Sequence, residues 1–285
     1  MRTRFLSILS AILFLAPMLG YGQVLTPEDD GIIPDPPKFH HHNRVIEYPF
    51  LRQADMMWST RHWERIDLRE KINQHLYYPI KAIPDRKSLF DVLIDGILTE
   101  GTITEVFKDD RFTIGLTAQA LEQLVSSFDT IQLDPDIPVD PSNPGTYFLD
   151  TISIRANNVQ AYLIKSDWYF DKQRGEMKNR IIALAPYVED PKNKNNKYPL
   201  FWVWFPDARY ALHTHQAYNR NNQIQRLTFD EIFHLRIFNS MVYKEDNVYD
   251  RAIADYKRND ALEQLLEAQM IRENLRNFEH DLWEF

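Results

Sequence analysis

Branched and aromatic residues gather most densely between Tyr162 and Phe205, and their pattern predicts the centre of the fold. The runs Tyr162–Phe170 and Asn179–Val188 flank a polar stretch, Asp171–Glu176, in which Gly175 is free to take positive φ. They are expected to form a long antiparallel hairpin. A third run, Leu200–Phe205, follows the Lys- and Asn-rich loop 190–197 and is apolar at every position, which predicts a strand covered on both faces.

On either side of this centre the apolar spacing turns helical. Within Leu51–Asn73, Ala54, Met57, Trp58 and His62 recur at three- and four-residue steps, so the segment reads as an amphipathic helix. Ser88 is placed to cap a helix carrying Leu89, Phe90, Leu93, Ile94 and Ile97, with Gly101 beyond its end. Ile103–Phe107 alternates as a short strand, and Thr117–Phe128 returns to helix with Leu121, Leu124, Val125 and Phe128 on one side. After the sheet, Thr228 and Glu231 match a capping box ahead of Ile232, Phe233, Leu235, Ile237 and Phe238. Val248–Arg258 reads as a further helix. Asp260–Phe278 reads as the last, with Leu262, Leu265, Leu266, Met270, Ile271 and Leu275 in one apolar stripe.

The fold class expected is α+β: a central antiparallel sheet built on a long hairpin, with flanking helices and a helical C-terminal segment. Residues 49–285 are read as a single domain. Its parts are a helical and short-strand part (49–128), a Pro- and Asp-rich loop (129–146), the central sheet (147–227) and the helical C-terminal part (228–285).

Ahead of that domain, Met1–Gly22 has two arginines, an apolar run from Phe5 to Leu15, and small residues at Gly20 and Gly22. This is the pattern of a secretory signal peptide cleaved before Gln23, since the apolar run is shorter than the roughly 20 residues a spanning helix needs. Residues 23–48 hold Pro34, Pro36 and Pro37 without apolar periodicity and read as an extended Pro- and His-rich arm. There is no cysteine, so disulfides, thiolate metal ligands and lipid attachment through an N-terminal cysteine are all excluded. Membrane association then falls to a partner, with no direct membrane insertion. A net charge of −8 disfavours nonspecific binding to nucleic acid.

Candidate chemistry is sparse. His40, His41 and His42 are metal-ligand types on an arm without fixed geometry. Asp134, Asp136 and Asp140 supply hard oxygens for calcium, but without the glycine and terminal glutamate of an EF-hand loop. His213 and His215 form an HxH pair that would share one face of a strand, with no third ligand patterned nearby. Lys192, Lys194 and Lys197 make a small basic loop. No nucleophile with a base and an orienting partner, and no glycine cradle for phosphate, is present, so no catalytic, cofactor-binding or metal residue is assigned. Interaction residues are the better candidates. Trp58 and Trp63 are core or interface residues before they are a stacking platform, and the closing EHDLWEF sets Leu282, Trp283 and Phe285 among acids as possible anchors.

Four separated blocks resemble the GldN/PorN family in order and spacing: the WERIDLREKIN…LYYP stretch from Trp63; YLIKSDWYFDKQRGEM with RIIALAP and LFWVWFPDAR; Phe229–Tyr256; and EHDLWEF. The chain stops at Phe285, where some family members carry a further tail. The resemblance implies a periplasmic component of the type IX secretion and gliding-motility machinery of Bacteroidota, associated with the outer membrane through a lipoprotein. Its implied partners are a GldK/PorK-like outer-membrane lipoprotein, further copies of itself in a ring, and the periplasmic part of a GldM/PorM-like motor protein. Two readings from other classes stand beside it. One is a periplasmic metal-dependent hydrolase using His213, His215 and the aspartate loop; the other is a carbohydrate-binding module using exposed tryptophans.

Overall fold

In the computed structural model, residues 45–83, 86–132, 147–193, 195–219, 227–258 and 260–282 are described, 127–132 and 147–152 by backbone alone. The elements follow the order β1 (Met56–Asp67), α1 (Gln74–Tyr77), α2 (Leu89–Ile94), β2 (Val106–Phe107), α3 (Ala118–Val125), β3 (Ser126–Gln132), β4 (Tyr147–Ser153), β5 (Val159–Asp171), β6 (Glu176–Glu189), β7 (Lys197–Pro199), β8 (Trp202–Trp204), α4 (Phe205–Thr214), α5 (Phe229–His234), β9 (Met241–Glu245), α6 (Ile253–Tyr256) and α7 (Ala261–Asp281). The signal peptide, nearly all of the arm with its three histidines, the aspartates 134, 136 and 140, Lys194, Trp283 and Phe285 lie outside the described residues.

The expected hairpin is the spine. β5 and β6 pair antiparallel from Val159↔Val188 to Asp171↔Glu176, and Gly175 turns the chain at φ 66°. Around them a seven-stranded antiparallel sheet runs in the order β2-β8-β6-β5-β1-β9, with β7 also on β6; β3 and β4 form a separate pair. The architecture is therefore α+β. One face of the sheet carries Ile66, Tyr162, Ile164 and Leu184, and Leu93, Phe201, Phe205, Phe229 and Phe233 complete the main core. Gly96, in the turn that follows α2, lets Ile103 and α4 approach: a Cβ there would lie 2.9 Å from Ile103 Cδ1 and 3.3 Å from Ala211 Cβ. The opposite face buries a smaller cluster of Trp63, Leu163, Ala183, Ala185 and Trp202.

Local signals for helix starts hold where the side chain that carries them is short-range. Ser88 accepts from Asp91 N, and Thr228 and Glu231 close a reciprocal capping box, each of which stabilises a helix start by about 1 kcal/mol. α5 ends in a Schellman motif, with Ile237 N on Ile232 O and Arg236 N on Phe233 O. The left-handed position is taken by Arg236 at φ 53° where glycine is usual.

Several expectations are corrected. Residues 51–73 are not a helix: Met56–Asp67 is a strand, paired on both sides, to β5 and to β9. Its sheet-like alternation is hidden because the inward positions of its second half include the polar His62 and Glu64, the latter buried by hydrogen bonding and not by apolarity. Leu200–Phe205 is a strand only over Trp202–Trp204, since Pro206 sits in the first turn of α4 and starts a helix at Phe205. Ile103–Phe107 pairs only at Val106 and Phe107, because Asp207 Oδ2 takes the backbone N–H groups of Thr104 and Glu105. The helix expected to reach Phe128 stops at Val125, and Phe128 belongs to β3. Within Val248–Arg258 only Ile253–Tyr256 is helical: the Asn247 side chain bonds Tyr249 N, Arg251 N, Glu245 O and Arg251 O, holding a turn in place of a helix start. β9 precedes that turn and was not signalled by any apolar run.

Candidate functional site

Three places hold the side chains from which function could come: a polar seam under α7, an aromatic–lysine cluster on the other sheet face, and the outward side of α7 itself.

The seam joins β1 to the end of the chain. Glu64 is 2% exposed. Its carboxylate accepts from Arg236 Nη2 (2.5 Å), Ser240 Oγ (2.5 Å) and Ser166 Oγ (3.2 Å). Burial pushes the Glu64 carboxyl up, but Arg236 and the two hydroxyls outweigh burial and hold it below the ordinary carboxylate value, so it stays charged. Arg236 also donates to Asn179 Oδ1 and lies over Trp168, while Arg272 of α7 donates to Ser240 O. A cavity of about 310 Å³ remains between sheet and helix, lined by His62, Trp168, Arg272 and Arg276 among others. With every oxygen of Glu64 engaged by donors, the seam is chemically a clamp for the helix, not a general base.

On the opposite face, Trp63 is 6% exposed and donates through Nε1 to Asp110 Oδ2 at 3.0 Å. Lys165 and Lys244 stand 5.5 and 4.5 Å from its ring, and Lys165 donates to Asp110 O. Burial lowers the Lys165 pKa, which is the usual mark of a reactive lysine. Here the ammonium is enclosed by aromatic faces and a carbonyl, so it works as packing.

At the start of the domain, Tyr48 is wedged between Arg209 (4.4 Å) and Arg180 (4.9 Å), and burial raises its phenol above the ordinary value. Arg209 makes a bidentate pair with Asp230 at 2.7 and 3.0 Å, both side chains buried, and donates to Ile46 O. The expected arm thus ends in residues seated on the domain.

The candidates named from sequence separate. Trp58 and Trp63 are five residues apart on one strand and face opposite sides of the sheet, so they make no common platform. Trp58 is half-buried against Phe278 of α7. Leu282 caps the same helix and is 38% exposed. Among the described residues, all five tryptophans are buried or half-buried. His213 lies in α4, not on a strand as expected, and His215 caps that helix with Nδ1 beside Ala211 O and Thr214 Oγ1. Lys192 is an exposed loop residue, and Lys197 is exposed at the start of β7.

What sequence reasoning missed is the division of α7. Its apolar residues form two faces: Ala268 and Ile271 are buried beneath it with Val242 and Ile253, whereas Leu262, Leu265, Leu266 and Met270 are 50–60% exposed. On a helical wheel these four fall within one arc opposite Ile271, so they make a continuous outward apolar strip over the first half of the helix. The signal was present as too many apolar residues for one face. No helix among the described residues is long and apolar enough to cross a membrane.

A model of the family described as "Gliding motility associated protein GldN" matches residues 51–284. No curated protein matches the chain.

Proposed function

Because the chain belongs to the GldN family of gliding-motility-associated proteins, we propose that it acts as a non-enzymatic structural subunit of the periplasmic ring of the type IX secretion machinery. In this reading it assembles with further copies and a GldK/PorK-like outer-membrane lipoprotein, and couples them to a GldM/PorM-like motor. The observation that carries the proposal is the outward strip of α7. Four large apolar side chains held at least half exposed on a well-anchored helix are what a subunit interface presents before it is covered. The helix is fixed from below by the buried Ala268 and Ile271, by Arg272 donating to Ser240 O and by the Trp58–Phe278 contact, so the strip is preorganised and association does not have to order it.

The test is complementation of a deletion strain with Leu262→Glu plus Leu266→Glu. Motility and cargo export are expected to fall to the deletion level while the purified variant keeps its melting temperature. Full export at normal protein levels would overturn the strip's role.

A further inference from the structure

A second exposed apolar feature lies at the other end of β1. The segment after Asp67 and the residues around α5 enclose a cleft of about 1040 Å³ whose apolar surface comes from Ile72, Tyr78, Tyr218 and Ile237. Each of these four is 37–53% exposed. Among its described lining residues the charged ones are Lys71 and Arg86, and none is acidic. In a chain with 41 Asp and Glu against 33 Lys and Arg, that sign is the reverse of the whole. Arg86 stacks its guanidinium 4.7 Å over Tyr218 and leaves its buried Nε without a hydrogen-bond partner. An aromatic floor with cations at the lip, one donor unmet, fits a peptide that alternates acids with large apolar side chains.

The chain carries such a segment. Past Glu279, which lines the cavity under its own helix, Asp281 and Glu284 interleave with Leu282, Trp283 and Phe285. It cannot serve its own cleft. Phe278 is pinned to Trp58, with ring centroids 4.6 Å apart, at the first end of β1. Lys71 and Ile72 follow the far end, where Asn73 Nδ2 is bonded to Asp67 O. Nine residues of strand separate Trp58 from Asp67, about 30 Å. From Phe278 to Phe285 even a fully extended chain reaches only about 25 Å.

We propose that the cleft between Lys71 and Tyr218 receives the Asp281–Phe285 segment of a second copy of this chain. The contact is heterologous, tail of one copy in the cleft of the next, so it propagates from copy to copy until a ring closes. It rests on the assembly role proposed above and assigns that role one specific contact.

The absence of cysteine makes a clean test. Full chains carrying Gln74→Cys, in the cleft wall, are mixed with full chains carrying Glu284→Cys, together with the lipoprotein partner, and oxidised. A disulfide dimer with one copy of each variant is expected, reduced at least tenfold when Lys71→Glu and Arg86→Glu are added to the cleft chain. Light scattering on the same mixture separates the two claims. Growth in mass without the 74–284 link, or a link that survives the charge reversals, overturns this contact and leaves the ring role standing. No growth in mass and no link overturn both. A link formed within a single chain carrying both cysteines, at dilution, also overturns it.

Discussion

Trp58 of the first strand and Phe278 of the last helix lie with ring centroids 4.6 Å apart at 32°. Residues 220 apart in sequence thereby hold the end of the chain against the start of the sheet. Packing of this kind contributes about 0.5–1.5 kcal/mol beyond area burial. A double-mutant cycle of Trp58→Ala and Phe278→Ala, read by denaturant unfolding, is expected to give a coupling in that range. Additive single effects would show that the rings touch without stabilising one another.

The buried pair Arg209–Asp230 has a larger expected effect. Asp230→Ala strands a guanidinium beneath α5 and is expected to cost about 3–5 kcal/mol, seen as a lower unfolding midpoint. Because Arg209 also holds Ile46 O and the Tyr48 ring, limited proteolysis should reach the segment before Phe50 sooner in Arg209→Met than in the wild type. Equal cleavage rates would mean that the segment is held by other contacts.

Glu64 sets an acid limit. Its folded value lies below the ordinary 4.5, so the stability it contributes is fully present above that pH and is lost as pH falls through the lower folded value. Glu64→Gln keeps the shape and removes the charge facing Arg236, with an expected cost of about 1.5–3 kcal/mol at pH 7. The gap between wild type and variant should close as pH drops below 4.5. A gap independent of pH would place the loss in packing.

How legible this fold was depended on the range of the interaction that decides each element. The β5–β6 hairpin, the Ser88 and Thr228 caps and the span of α7 are written in neighbouring residues, and they read correctly. β1 did not, because the burial of the charged Glu64 depends on Ser166, Arg236 and Ser240, up to 176 residues away. The apolar residues of α7 were visible, but which of them are inward is decided by Val242 and Ile253. That Trp58 and Trp63 belong to opposite faces follows only from the strand.

The outward strip of α7 carries the functional account, and the mass of the assembled complex tests it most directly. Wild-type chain co-expressed with the lipoprotein partner is expected to elute as a complex containing many copies of both. Leu265→Lys plus Leu266→Lys is expected to remain folded, with an unchanged melting temperature, and to elute as a species of single-copy mass. A variant that still builds the full-mass complex would contradict the account.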